Sequence, residues 1–119
     1  MKGAVKLSVI VVLLATLSGC IISAVPDPDE TIYLDRLKSQ VFLVIATNIP
    51  YPSNTSMVFN WYVDDELKDT ANPVYLFTAW PEYFGKTVGI ECVVEVWQHN
   101  PSGDDLLWSG SRTWTVVVD

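Results

Sequence analysis

Alternation of apolar and polar residues, with a period of two, runs through most of the chain after residue 30. It is clearest in residues 87–97, where Glu91 and Glu95 alternate with a set of apolar residues: Val88, Ile90, Cys92, Val94 and Val96. Successive side chains of a strand point to opposite faces of its sheet, so this pattern predicts strands with one buried face. No window longer than ten residues combines helical periodicity with capping residues. The pattern therefore predicts an all-β domain.

Seven strands are expected, separated by segments with turn-forming residues. They cover residues 31–34, 40–47, 57–63, 66–68, 74–79, 87–97 and 106–118. Residues 48–56 and 80–86 are predicted loops, Asp64-Asp65 a tight turn, and residues 99–105 a hairpin loop. A bulge is expected near Gly110. This spacing favours a single antiparallel sandwich of two sheets.

The parity of these strands predicts which residues form the core. Residues expected inside are Phe42, Val44, Ala46, Met57, Phe59, Trp61, Cys92, Trp114, Val116 and Val118. Strand 40–47 is apolar on both faces. With Phe42, Val44 and Ala46 inside, the opposite face of this strand would place apolar residues at the surface. The residues expected to point outward are Val41, Leu43, Ile45 and Val93.

The first nineteen residues have the pattern of a helical secretion signal. Lys2 and Lys6 precede an almost wholly apolar run over residues 7–17. The run ends in Leu17-Ser18-Gly19-Cys20, which resembles the lipobox of bacterial lipoproteins. The resemblance implies cleavage before Cys20 and a diacylglyceryl group on its sulfur. Residues 20–30 would then be the lipidated cysteine and a tether, because Pro26 and Pro28 forbid a helix there.

Two alternatives for this segment remain open. The uncharged run over residues 7–25 is long enough to span a bilayer as an uncleaved helix. An ordinary signal peptidase could also cut after Ala24. If the chain is a lipoprotein, the absence of Asp directly after Cys20 favours the outer membrane in an organism that has one. In any other organism we expect attachment to the cell envelope through the lipid.

Charge narrows the partners of the expected mature chain. It keeps all fourteen acids but only five basic residues, so its net charge is −9. The five basic residues are Arg36, Lys38, Lys68, Lys86 and Arg112. Such a surface repels phosphate backbones and anionic lipid headgroups. Nucleic acid is therefore not an expected partner, and the lipid is the expected membrane anchor.

Three segments resemble strands of bacterial immunoglobulin-like and polycystic-kidney-disease-type (PKD) domains. They read SQVFLVIATN, FNWYVDDE and SRTWTVVV. The resemblance covers residues 31–119 diffusely and implies an immunoglobulin-like sandwich; a shared fold does not transfer function. Cys92 matches the second cysteine of the antibody-type pattern, but Val44 stands near the first. With Cys20 lipidated, we expect Cys92 to be a small buried hydrophobic residue.

The sequence contains no recognisable catalytic motif, and we expect no enzyme activity. His99 is expected as a solvated turn residue, and Glu91 and Glu95 lie ~13 Å apart on one strand. Weak calcium candidates are the paired carboxylates Asp64, Asp65, Asp104 and Asp105. A candidate binding surface consists of Trp80, Trp97, Trp108 and Tyr62, which suit a protein or a carbohydrate.

The leading hypothesis is a non-catalytic envelope lipoprotein that binds or assembles with another protein. The alternative is a carbohydrate- or calcium-dependent binding module. No cofactor is expected besides the covalent lipid on Cys20.

Overall fold

Residues 21–47 and 54–119 of the 119-residue chain are described by a computed structural model. They form eight strands and one short 3₁₀ turn, Pro81–Tyr83. The strands are β1 Ile21–Val25, β2 Ile32–Leu34, β3 Ser39–Thr47, β4 Thr55–Val63, β5 Glu66–Asp69, β6 Val74–Thr78, β7 Thr87–Asn100 and β8 Gly103–Val118. The predicted all-β character is confirmed.

Two sheets pack face to face. The smaller sheet has the strand order β1-β3-β6, and the larger has the order β2-β8-β7-β4-β5. All pairs are antiparallel except β2 with β8, which run parallel. The two-sheet sandwich is therefore as predicted, with eight strands instead of about seven and one parallel pair.

The core has the parity that the sequence predicts. Trp61, Cys92 and Trp114 are fully buried, as are Phe42 and Val116. Met57, Phe59 and Ala46 are only partly buried but pack against this core. The interior of the sandwich is therefore built from the inward faces of β3, β4, β7 and β8.

Stacked aromatic rings occupy the centre of the core. The ring of Trp61 lies between Trp114, 5.8 Å away, and Tyr75, 5.6 Å away, in stacked geometry. Phe42 meets Trp114 edge-on at 4.9 Å. The indole N–H of Trp61 donates to the carbonyl of Asn72 at 2.7 Å. Both faces of the buried indole and its only donor are thus satisfied.

The segment expected as the start of a tether is a strand. Ile21–Val25 pairs with β3 from Ile21 opposite Thr47 to Val25 opposite Leu43. Its apolar residues decide this, because Ile22 is buried against the core. The extended backbone that the sequence predicts is present, but the smaller sheet binds it.

Side chains of β8 also hold β1 and the residue after it. Arg112 donates from Nη2 to the carbonyl of Ile22 at 2.8 Å. Trp114 donates from Nε1 to the carbonyl of Pro26 at 2.6 Å. A Cβ added at Gly110 would lie 2.7 Å from the Ile22 side chain, so glycine permits this close approach. Strand β1 is therefore fixed to both sheets.

The β7–β8 hairpin is longer than predicted. Residues 99–105 were expected to form a loop, but β7 continues to Asn100, which pairs with Gly103. Only Pro101 and Ser102 form the turn, with Gly103 at a φ of +134°. The bulge expected near Gly110 lies at Leu107, three residues earlier on β8, because Val96 pairs with Trp108 and Trp97 with Leu106. The polar residues of this segment pair with each other across the hairpin, which their composition did not indicate.

The predicted tight turn at Asp64-Asp65 is present. Both residues have positive φ, 48° and 70°, as a two-residue turn between β4 and β5 requires. Aspartate tolerates this region better than most residues. The Asp64 carboxylate also accepts a hydrogen bond of 2.8 Å from the backbone N–H of Gly89. This bond attaches the turn to β7.

Candidate functional site

The outer side of the smaller sheet is an exposed apolar surface, here called the apolar face. It consists of Val25 from β1, Val41, Leu43 and Ile45 from β3, and Val74 and Leu76 from β6. All are exposed apart from the half-buried Leu43. The outward positions predicted for Val41, Leu43 and Ile45 thus belong to one surface that spans three strands. Val93 lies apart from it, half-buried on the larger sheet.

Charge is divided between the two sheets. Strands β1, β3 and β6 contain no Asp, Glu, Lys, Arg or His. All fourteen acids lie on the larger sheet or in connections. The strands of the smaller sheet are therefore uncharged, and the acidic charge lies on the larger sheet and in the connections.

The four aromatic residues predicted as a binding surface are dispersed. Tyr62 and Trp97 share the outer face of the larger sheet, but Tyr62 pairs with Glu91, six residues before Trp97 on β7. That separation is ~20 Å along a strand. Trp108 turns inward and packs against the core. Trp80 is 55% exposed and lines a shallow cavity of about 190 Å³ beside Tyr75 and Tyr83. They do not form one stacking platform for a sugar.

The paired carboxylates also lie at two distant places. Asp64 and Asp65 are at the β4–β5 turn, near Gly89 at one end of β7. Asp104 and Asp105 are at the other end, opposite His99 and Gln98. Within residues 21–47 and 54–119, no group of three or more His, Cys, Asp or Glu side chains could hold a metal ion. Each of these pairs has a role in its own turn or hairpin.

A row of three polar side chains, which the sequence pattern does not indicate, crosses the outer face of the larger sheet. Ser56 Oγ on β4 lies 2.8 Å from His99 Nε2 on β7. His99 Nδ1 lies 3.1 Å from Asp104 Oδ1 on β8. The order is that of a nucleophile, a base and an orienting carboxylate. His99 is therefore a strand residue with two partners, and only the register of β4, β7 and β8 brings these three together.

The setting of this row limits its chemistry. The side chains of His99 and Asp104 are 49% and 54% exposed, so water screens their interaction. Shallow cavities lie at other places on the domain: beside Leu34 and Val117, beside Tyr75 and Trp80, and beside Asp64 and Gly89. Serine activation depends on a water-excluded site with donors aimed at the developing oxyanion. The row has the hydrogen bonds of a catalytic triad on an open sheet surface.

Cys92 lies in the core, as predicted. It is a free, fully buried cysteine on β7, opposite Arg112. Burial, with a smaller contribution from the charge of Glu91, raises the pKa of its thiol to about 12. A thiol that stays protonated is a poor nucleophile and a poor metal ligand.

The hairpin leaves one strand edge open. Strand β2 pairs with β8 only from Val116 to Val118. Where β8 passes β1, the Arg112 side chain bonds to the Ile22 carbonyl, and the two strands do not form a ladder. Among the described residues, residues 103–109 of β8 thus pair only with β7. Leu106 is 48% exposed on this stretch, opposite Trp97. We call residues 103–109 the hairpin edge.

The predicted lipobox lies outside the described residues. Its residues are Leu17, Ser18, Gly19 and Cys20. Residues 48–53 of the predicted loop 48–56 also lie outside the described ranges. In the described ranges, no helix has the length and apolar character needed to cross a membrane. No protein-family model, curated protein or solved structure matches this chain.

Proposed function

We propose that this protein is a non-catalytic lipoprotein of the cell envelope, whose single immunoglobulin-like domain binds another protein. The lipid on Cys20 holds it in a membrane, which is the outer membrane if the organism is Gram-negative. The fold, the charge distribution and the open hairpin edge support this proposal.

The strand order supports the immunoglobulin-like assignment. Immunoglobulin-type sandwiches have their third, sixth and seventh main strands in one sheet, and the second and fifth in the other. In this chain the strands that correspond to the third, sixth and seventh are β4, β7 and β8, which lie in the larger sheet. Those that correspond to the second and fifth are β3 and β6, which lie in the smaller sheet. Trp61 on β4 and Cys92 on β7 are a direct cross-strand pair, at the positions that carry the resemblance.

The hairpin edge is the observation that carries the binding function. An exposed strand edge offers unpaired backbone N–H and C=O groups, to which an extended segment of a partner can add as a further strand. Proteins that only need to stay soluble cover such an edge or place lysine along it. Residues 103–109 contain no lysine. Their two charges, Asp104 and Asp105, bond within the hairpin to His99 and Asn100, and beyond them Leu106 and Leu107 are exposed.

The membrane attachment is tested on the full chain by mass spectrometry of the mature N-terminus. We expect an N-terminal Cys20 that carries the mass of a diacylglyceryl group. A Cys20→Ser variant is expected to remain unprocessed. Retention of residues 1–19 in the wild-type protein, or cleavage after Ala24, would refute the lipoprotein assignment.

The binding function is tested by cross-linking and purification of the anchored protein from mild detergent. We expect the wild type to recover one partner in a fixed ratio, and Leu106→Lys to lose it. Leu67→Lys is the matched control, because Leu67 is 53% exposed on β5 at the far edge of the same sheet. A wild-type protein that stays a lone monomer, or equal loss with both variants, contradicts the proposal.

A further inference from the structure

The apolar face is unusual because its strands carry no charge in a strongly acidic domain. The exposed fractions of Val25, Val41, Ile45 and Leu76 range from 46% to 57%. The remaining outward residues of these strands include Ser23, Ser39 and Thr78, which have uncharged hydroxyl groups. The largest apolar patch of a domain is often a functional surface, and the lack of charge on all three strands singles this one out.

The position of the face relative to the anchor indicates which surface covers it. Cys20 immediately precedes Ile21, the first residue of β1, so no linker separates the lipidation position from the smaller sheet. The bonds from Arg112 and Trp114 to Ile22 and Pro26 hold β1 against the rest of the domain. A lipid on Cys20 would therefore bring the smaller sheet, and no distant part of the domain, to the membrane.

Charge selects the same orientation. A mature domain of net charge −9 is repelled by anionic headgroups wherever its acids approach them. The sides that carry those acids are the larger sheet and the connections. The strands of the apolar face carry no carboxylate, so this face approaches the membrane with the least repulsion.

The size of the face favours a lipid surface over a second copy of the chain. Three strands of these lengths present on the order of 300 Å². A stable protein dimer buries about 800 Å² on each partner. A lipid anchor compensates for a small contact area, because it keeps the face at a high effective concentration beside the bilayer.

We propose that the apolar face lies against the lipid bilayer beside the anchor, so that the larger sheet lies on the side away from the membrane and the hairpin edge stays uncovered. This orientation rests on the membrane attachment proposed above. It makes the domain a rigid platform with a fixed orientation, which presents the hairpin edge to partners at the membrane surface.

The test compares two labelled variants of the full, lipidated chain in phosphatidylcholine vesicles. Leu76→Cys lies on the apolar face and Leu67→Cys on the outer face of the larger sheet, with exposed fractions of 57% and 53%. Each is labelled with an environment-sensitive fluorophore, and Cys92 stays unlabelled because it is buried. We expect the label at Leu76 to shift to the blue, to be quenched by spin-labelled lipids and to be several-fold less accessible to iodide. The label at Leu67 should remain accessible.

Each outcome has a distinct meaning. Equal iodide accessibility of the two labels on protein that floats with the vesicles overturns the orientation and leaves the anchor intact. Protein that does not float with vesicles refutes the attachment and this inference together. A Leu76 label shielded from iodide but not quenched by lipid, with cross-links between copies at Val41→Cys, identifies a dimer and overturns the inference. Shielding in native membranes but not in vesicles identifies a protein partner and also overturns it.

Discussion

Replacement of Trp61 by phenylalanine measures how much the aromatic centre stabilises the sandwich. The indole is fully buried between Trp114 and Tyr75 and donates to the carbonyl of Asn72. Phenylalanine keeps a ring but has about three fewer heavy atoms, whose lost burial costs ~2 kcal/mol at ~0.8 kcal/mol each. The lost hydrogen bond adds about 1 kcal/mol. The free energy of unfolding should therefore fall by ~3 kcal/mol.

Urea denaturation of the full chain in nonionic detergent, followed by far-UV circular dichroism, measures this loss. With an m value of about 1.5 kcal/mol/M, the midpoint should fall by about 2 M. The matched control is Trp80→Phe, because Trp80 is 55% exposed and the same change there should cost about 0.5 kcal/mol or less. A Trp61→Phe midpoint within error of the Trp80→Phe midpoint would refute the reasoning, since the indole would then add nothing specific to the core.

Two further predictions concern the buried thiol of Cys92 and the exposed Ser56–His99–Asp104 row. The pKa of the Cys92 thiol is about 12 in the folded protein and near its ordinary value of 9.0 when unfolded. The unfolded state therefore releases the proton first, and stability that is complete below pH 9 falls between pH 9 and 12, by at most about 1.4 kcal/mol per pH unit. Urea titrations should show this extra slope in the wild type and not in Cys92→Ala; parallel slopes contradict the burial argument. The open setting of the Ser56–His99–Asp104 row predicts that wild type and Ser56→Ala hydrolyse p-nitrophenyl acetate equally slowly. A burst of p-nitrophenol that Ser56→Ala abolishes would contradict the non-catalytic proposal.

Local pattern was sufficient for seven of the strands and for most of the core. A period of two in residues 57–63 and 87–97 predicted β4 and β7, and their parity placed Trp61 and Cys92 correctly in the core. The Asp64-Asp65 turn followed from residues that tolerate positive φ. These features depend on near neighbours in the sequence, so one strand at a time contains the necessary information.

Pairing between distant strands decided the rest. The segment that begins at Ile21 resembled a tether because Pro26 and Pro28 exclude a helix and no local pattern specifies a partner strand; only β3 opposite it makes it a strand. His99 resembled a turn residue until the register of β7 with β4 and β8 set it beside Ser56 and Asp104. Side-chain contacts across strands depend on register, which local composition constrains weakly for polar segments.

The candidate surfaces have the same division. The sequence by itself determined that Val41, Leu43 and Ile45 share one side of their strand, because alternate residues of a strand point the same way. That this side is the outer one was a prediction, since both sides are apolar, and the burial of Phe42 and Val44 confirms it. The sequence also determined the acidic charge of the domain. Only the tertiary structure decided that β1 and β6 flank β3, which joins these residues into one uncharged face whose first strand begins at Ile21. Strand order is the physical reason, since it depends on how the whole chain excludes water from a single core.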